Sequence, residues 1–348
     1  MEITREGIIQ EMKKEVPEEV KNVAADLLFF LSKLGYDPLK YIKRLNSVEY
    51  ILYASDEKDF KPPQIEYICD EEKRYVKNID YAAYEGFFHS VVDKDKDGNV
   101  YICKEIFALN ESVCNAKVNK TYKETIIHEL FHLFTTPPLL EKKDKYIFRI
   151  GIEEVIINKK EALLFVQEVG LNEINEAMTE VIAYYIYKKI YDDSFFLETR
   201  IENGIIIPKT NSYYLIIPVM RYINFLLTRE KEPLYMLKCY MDNDFISYMN
   251  LVNEKLGINR KRFTKLFFKL LDYTLKFFEE EDITLVEGFK KEIVEGFKEE
   301  IVENIKEMLR YVSVDFLEKA REYARILFNY PVLSFILEEL EVYFAERI

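Results

Sequence analysis

The chain has 348 residues, enough for a large buried core and for two domains, and its formal net charge is −13. Acidic and basic residues are interspersed along the sequence, which argues against a nucleic-acid partner held through phosphate contacts. The longest apolar runs fall well short of the roughly 20 residues that a membrane helix requires, so we expect no membrane partner either.

Cysteine usage and the first residues favour a cytoplasmic location. The four cysteines are far apart in sequence and include no C-x-x-C pair, so neither a zinc ribbon nor a disulfide framework is indicated. The start of the chain lacks the basic and apolar segments of a secretory signal. Charged residues make up 32% of the chain and glutamine is nearly absent, a balance that is typical of thermostable proteins.

The N-terminal part of the chain is predicted to be helical and is followed by strands. Apolar residues recur at three- and four-residue spacings over residues 17–45, with a break at residues 35–38, where glycine and proline stand. Residues 48–54, 83–92 and 99–107 are rich in aromatic and β-branched residues and are predicted to be strands.

A polar turn at residues 93–98 separates the last two of these strands. Asp93, Asp95, Asp97 and Gly98 match the start of an EF-hand loop, but Lys104 stands where that loop requires a bidentate glutamate. Because the flanking segments are also predicted to be strands, a hairpin turn containing Asp-Gly explains the pattern better. We therefore expect no calcium site.

Helices dominate the rest of the chain. A capping-box pattern, Thr121 with Glu124, opens a helix over residues 121–134. Residues 147–158 and 161–169 are predicted to form a hairpin, and residues 172–191 a long helix. From residue 212 to the end the pattern is helical, and it includes an eight-residue repeat over residues 286–309 that predicts one long amphipathic helix.

Residues 128–132 read H-E-x-x-H. A spacing of four residues places His128 and His132 on one face of a helix, close enough to share a metal ion. Apart from His128, Glu129 and His132, all residues from 126 to 134 are apolar, which is typical of a buried helix. Buried ionisable side chains require partners, and a metal ion satisfies both histidines at once.

A second motif supplies a candidate third ligand. A catalytic zinc takes three protein ligands and leaves its fourth position to water. Residues 175–180, Asn-Glu-Ala-Met-Thr-Glu, match the pattern N-E-x-x-S/T-D/E. With H-E-x-x-H upstream, the chain resembles the gluzincins, the thermolysin-like zinc metallopeptidases, over about residues 83–225. The resemblance implies that Glu176 is the third zinc ligand and that Glu180 hydrogen-bonds a zinc-bound histidine.

Two departures from the gluzincin pattern are visible. Glu180 stands where the best-known members have aspartate, and the segment between His132 and Glu176 is longer than theirs, which indicates an inserted hairpin. An alternative for the second motif is that Glu173, Glu176 and Glu180 form an acidic solvent-facing side of the helix.

The expected chemistry is hydrolysis of a peptide bond with one zinc ion per chain. Glu129 follows His128 by about 100° around the helix, so it is the expected general base on a zinc-bound water. The resemblance also implies that the strand before this helix pairs with extended substrate, and residues 99–107 are the candidate. His89, Tyr213 and Tyr214 are candidates to stabilise the oxyanion.

We expect an α+β, predominantly helical fold in which a zincin-like core with a small twisted sheet and an active-site helix is extended by helices at both ends. The predicted domains are residues 1–47, 48–211 and 212–348. The expected partner is a peptide or protein substrate, and the C-terminal helices are the candidate surface for self-association. Two alternatives are a non-catalytic regulatory or interaction protein on a metallopeptidase scaffold, and a processing protease or toxin specific for one protein.

Overall fold

In the computed structural model the described residues are 3–53, 66–69, 72–75, 86–94, 100–110, 122–135, 140–142, 145–150, 153–158, 167–168, 172–191, 199–202, 205–208, 216–279, 301–329 and 333–348. Most of them are helical, and the others form short strands, turns and connecting segments. The expectation of a predominantly helical chain with a small β-sheet is confirmed. In the described part of the chain, no helix combines the length and the apolar character needed to cross a membrane.

Three helices open the chain. They are α1 (Arg5–Glu11), α2 (Glu18–Lys33) and α3 (Pro38–Leu45). The predicted break between the last two is confirmed, because Gly35 adopts a φ of 94°, which glycine tolerates, and the Asp37 carboxylate accepts the Leu39 N–H to cap α3. The apolar side of α2 is buried, as its periodicity predicts.

The predicted strands before the H-E-x-x-H helix are confirmed and join in one sheet. They are β1 (Glu49–Tyr53), β4 (Gly86–Lys94) and β5 (Val100–Asn110), in the order β1-β5-β4, while β2 (Glu66–Cys69) and β3 (Glu72–Tyr75) pair separately. Strand β5 is antiparallel to β4 and parallel to β1. The antiparallel pairing agrees with the predicted hairpin, although residues 95–99 of its turn lie outside the described residues.

Part of the strand that was expected to pair with substrate is already paired on both sides. From Ile106 onward β5 is paired with β1 on one side and with β4 on the other, so residues 106 and 107 have no open edge for a peptide. Among the described strands, residues 100–105 of β5 are paired on the β4 side alone. Residue 99 lies outside the described residues.

The helix α4 (Tyr122–Thr135) agrees with the predicted helix, and four antiparallel strands follow it. These strands are β6 (Leu140–Lys142), β7 (Lys145–Ile150), β8 (Glu153–Asn158) and β9 (Gln167–Glu168). The prediction of one strand over residues 147–158 was wrong, because Ile150 pairs with Glu153 and the chain therefore reverses between them. Residues 151 and 152 lie outside the described residues. The pairing of β8 with β9 agrees with the second half of the predicted hairpin.

The predicted helix over residues 172–191 is confirmed as α5 (Asn172–Tyr191), and a short antiparallel pair that was not predicted follows it, β10 (Thr199–Glu202) with β11 (Ile205–Pro208). The remaining elements are helices, as predicted. They are α6 (Ile216–Thr228), α7 (Leu234–Met241), α8 (Phe245–Leu256), α9 (Arg260–Glu279), α10 (301–310), α11 (Val314–Leu327) and α12 (Ser334–Arg347). Most of the eight-residue repeat, residues 286–300, lies outside the described residues.

The chain forms two compact units. One contains Met1–Val169 and Ile186–Phe195, and the other contains Gly170–Tyr185 and Phe196–Ile348. Within the first unit α4 packs against α2, α3, β4 and β7. Within the second unit α6 packs against α8, α9 and α11. The division into residues 1–47, 48–211 and 212–348 stays a prediction.

Candidate metal centre

The helix α4 is buried on all sides, as its apolar composition predicts. His128 is 7% exposed, Glu129 7% and His132 6%, while the apolar residues between Ile126 and Phe134 are at most 5% exposed. Glu124, one helical turn before His128, is buried as well. An ionised side chain in such surroundings is costly unless it is paired, so this helix requires polar or ionic partners for its charged residues.

The Nε2 atoms of the two histidines of α4 lie close together. The Nε2 atoms of His128 and His132 lie 3.0 Å apart, and the two ring planes meet at 70°. Two imidazole nitrogens bound to one tetrahedral zinc lie about 3.3 Å apart, given Zn–N distances of about 2.0–2.1 Å. Without a metal ion, the same distance suits a hydrogen bond between the two rings.

Glu176 completes a group of three potential ligands. One ligand atom from each of His128, His132 and Glu176 lies within 4.8 Å of the other two. Both histidines are buried and Glu176 is half-buried. Two imidazole nitrogens and one carboxylate oxygen form a donor set that suits zinc and other first-row divalent metals. These three side chains could therefore hold a metal ion.

Buried polar residues surround Glu176 on α5. Asn175, Thr179 and Glu180 are each at most 2% exposed. Glu180 is therefore not part of an acidic solvent-facing side of this helix. Glu176 is half-buried, and the side chain of Glu173 lies outside the described residues. The bond from Glu180 to a histidine ring stays a prediction.

A hydrogen-bonded tyrosine fixes the turn of α5 that follows Glu176. The Thr179 hydroxyl donates to the Asn175 carbonyl at 2.8 Å, and its oxygen lies 2.5 Å from the phenolic oxygen of Tyr240 on α7. Tyr240 is fully buried. The sequence carries no signal for this contact, because Tyr240 is one of 26 tyrosines and lies in no motif.

The side chains of three further candidates lie outside the described residues. His89 lies on β4 and its backbone pairs with Ile106 of β5, but its side chain is outside the described residues. Tyr213 and Tyr214 also lie outside the described residues, shortly before α6 begins at Ile216. Their roles at an oxyanion stay predictions.

Comparison of the chain with protein-family models, curated proteins and solved structures found no match.

Proposed function

We propose that the chain is a zinc-dependent peptidase with a gluzincin-like site on a zincin-like core. The observation that carries this proposal is the convergence of one ligand atom from each of His128, His132 and Glu176 within 4.8 Å. The H-E-x-x-H and N-E-x-x-T-E patterns supply these same three residues. Agreement between motif and geometry on all three ligands supports zinc as the metal and hydrolysis as the reaction.

In the proposed site His128, His132 and Glu176 would hold the metal ion. Zinc held there would lower the pKa of a water molecule to about 7 and would polarise a substrate carbonyl. Glu176 is half-buried, whereas both histidines are buried. Glu180, buried one turn after Glu176, is suited to accept a ring N–H and so to fix a histidine tautomer.

Glu129 is the proposed general base. It directly follows His128, about 100° further around the helix, and it is buried like the two histidines. Glu129 takes a proton from the attacking water as the new C–O bond forms at the peptide carbonyl. It then delivers that proton to the amide nitrogen as the C–N bond breaks, which releases a carboxylate and an amine.

Peptide substrate would pair with β5. On the side facing away from β4, residues 100–105 pair with no other described strand, and an extended substrate would add to the sheet there through its backbone. The small sheet β1-β5-β4 together with α4 supports a zincin-like arrangement, in which a strand before the metal-binding helix lines the substrate cleft.

Peptide cleavage by the zinc-loaded chain tests the proposal. A defined mixture of synthetic peptides is incubated with the wild type, with Glu129→Gln and with the control Glu19→Gln, which alters an exposed glutamate of α2. Mass spectrometry is expected to detect cleavage by the wild type and the control. Glu129→Gln should keep its zinc and cleave about 10²- to 10⁴-fold more slowly. Wild-type rates from Glu129→Gln, or no cleavage by a zinc-loaded wild type, would contradict peptide hydrolysis as proposed.

A further inference from the structure

The last turn of α4 carries His132 and is followed by two prolines, Pro137 and Pro138. In a continuing helix the Leu133 carbonyl would accept the N–H of residue 137 and the Phe134 carbonyl that of residue 138. Both of those residues are prolines, which have no N–H. The negative end of the helix dipole therefore lies next to His132 and requires donors from elsewhere in the fold.

Arg44, at the end of α3, supplies a cation at this helix end. Its Nη2 donates to the Glu105 carboxylate at 2.7 Å and lies 3.5 Å from the Leu133 carbonyl oxygen. The second distance is long for a hydrogen bond, so the interaction with Leu133 is mainly that of a positive charge with the end of a helix.

Glu105 anchors this guanidinium to the sheet. It lies on β5, where its backbone pairs with Ser90 of β4, and its side chain is 8% exposed. The Arg44 side chain is 28% exposed. An ion pair with a buried carboxylate is held more firmly than a surface pair, because an unpaired charge at that depth is strongly disfavoured.

A ring contact one turn earlier on α3 holds the same end of α4. The ring centroids of Tyr41 and Phe134 lie 4.9 Å apart, and both side chains are buried. Arg44 and Tyr41 are three residues apart and so lie on one face of α3. This face contacts Leu133 and Phe134, the two residues that directly follow His132.

We infer that Arg44 is a positioning residue for the metal centre. By joining the end of α4 to Glu105 of the sheet, its guanidinium fixes the turn that sets the direction of the His132 ring. It thereby keeps the His132 and His128 Nε2 atoms, which lie 3.0 Å apart, close enough to share a metal ion. This inference rests on the proposed function, because it concerns the same metal site.

Metal affinity of Arg44 variants tests the inference without relying on activity. Arg44→Met removes the cation and keeps most of the side-chain length, while Arg44→Lys keeps the charge but loses the planar fork of donors. Zinc affinity is measured by competition with a chelating dye, and the absorption spectrum of the cobalt-substituted chain reports ligand geometry. We expect Arg44→Met to weaken zinc binding about 10- to 100-fold and to alter the cobalt spectrum, and Arg44→Lys to recover part of both.

Arg321→Met is the matched control. Arg321 is 25% exposed and, like Arg44, pairs with a glutamate on another element, Glu341 of α12. This variant should lower the unfolding midpoint and leave zinc affinity and the cobalt spectrum unchanged. Wild-type zinc affinity and a wild-type cobalt spectrum in Arg44→Met would overturn the positioning role, whatever its stability.

Two further measurements keep the outcomes distinct. If Arg44→Met does not fold, as judged by circular dichroism, Glu105→Gln replaces it, since this variant keeps the guanidinium and removes its charged anchor. Glu105→Gln should bind zinc several-fold more weakly, and unchanged affinity would overturn the inference. If the wild type binds no zinc, the result contradicts the proposed metal site itself. If the wild type binds zinc and the variants bind it equally well, the role of Arg44 alone fails.

Discussion

The Nε2 atom of His132 lies 3.0 Å from the Nε2 atom of His128, one turn earlier on α4. Each ring is buried, and Glu176 of α5 brings a carboxylate oxygen to within 4.8 Å of the group. These three side chains could hold a metal ion, and the first two predictions concern them.

Glu176→Ala should weaken zinc binding more than about 100-fold, because loss of a direct ligand costs more than the 10- to 100-fold typical of residues that merely orient a ligand. Competition with a chelating dye measures the affinity, and Glu19→Ala on the exposed side of α2 is the control. Equal affinity in Glu176→Ala and wild type would remove Glu176 from the site and make Glu180 the next carboxylate to test.

Removal of the metal should abolish peptide cleavage while leaving the chain folded. The ligands belong to helices with large buried apolar sides, so the metal is not the main source of stability. At a free zinc concentration 100 times the dissociation constant, zinc binding adds about 2.7 kcal/mol to the free energy of unfolding, and chelation would remove this contribution. Circular dichroism with and without a chelator measures helix content and the unfolding midpoint. Loss of the helical signal on chelation at room temperature would contradict this expectation and indicate a structural metal.

The hydrogen bond between Thr179 and Tyr240 should contribute measurably to stability. Both side chains are fully buried and their oxygens lie 2.5 Å apart. Tyr240→Phe and Thr179→Val should each lower the free energy of unfolding by about 1–2 kcal/mol, since each leaves a buried oxygen with one partner fewer. Denaturant unfolding of both variants and of the double variant measures the coupling. Strict additivity of the two losses would mean that the bond contributes nothing.

Glu341 should make the second unit sensitive to acid. The Arg325 guanidinium, and then that of Arg321, lowers the pKa of the Glu341 carboxyl from its ordinary value. A carboxyl whose pKa is lowered by folding stabilises the folded state above its unfolded pKa, and this stabilisation is lost as pH falls through the folded pKa. The loss therefore begins near pH 4.5 and grows at lower pH.

Glu341→Gln should consequently flatten the decline of the unfolding midpoint below about pH 4.5, and it should lower the midpoint at neutral pH. Thermal unfolding followed by circular dichroism at a series of pH values measures both effects. Glu346→Gln, exposed on the same helix, is the control. A variant with the same pH profile as the wild type would show that the ion pairs of Glu341 do not contribute to acid sensitivity.

Features with a local sequence pattern could be predicted. The helix α4 was predicted from its capping-box pattern, and a shared face for His128 and His132 follows from helix geometry alone. The helix α5 was also predicted. The strand β5 was also predicted, because β-branched and aromatic residues cluster in it.

Features that depend on distant parts of the chain could not be predicted. The parallel pairing of β1 with β5 joins segments more than 50 residues apart, and it closes part of the edge that was expected to bind substrate. The bonds from Arg44 to Glu105 and from Thr179 to Tyr240 each join residues separated by 61 positions. A periodic pattern identifies the buried side of a helix but not its neighbour, so no local signal specifies these partners.

The measurement that tests the central claim most directly is the zinc content of the purified chain and of His132→Ala, determined by elemental analysis after zinc is supplied and excess is removed. The account predicts about one zinc per chain in the wild type and almost none in the variant, because the loss of one of three protein ligands opens the site. A wild type that retains no zinc, or a variant that retains as much as the wild type, would contradict the proposed metal centre.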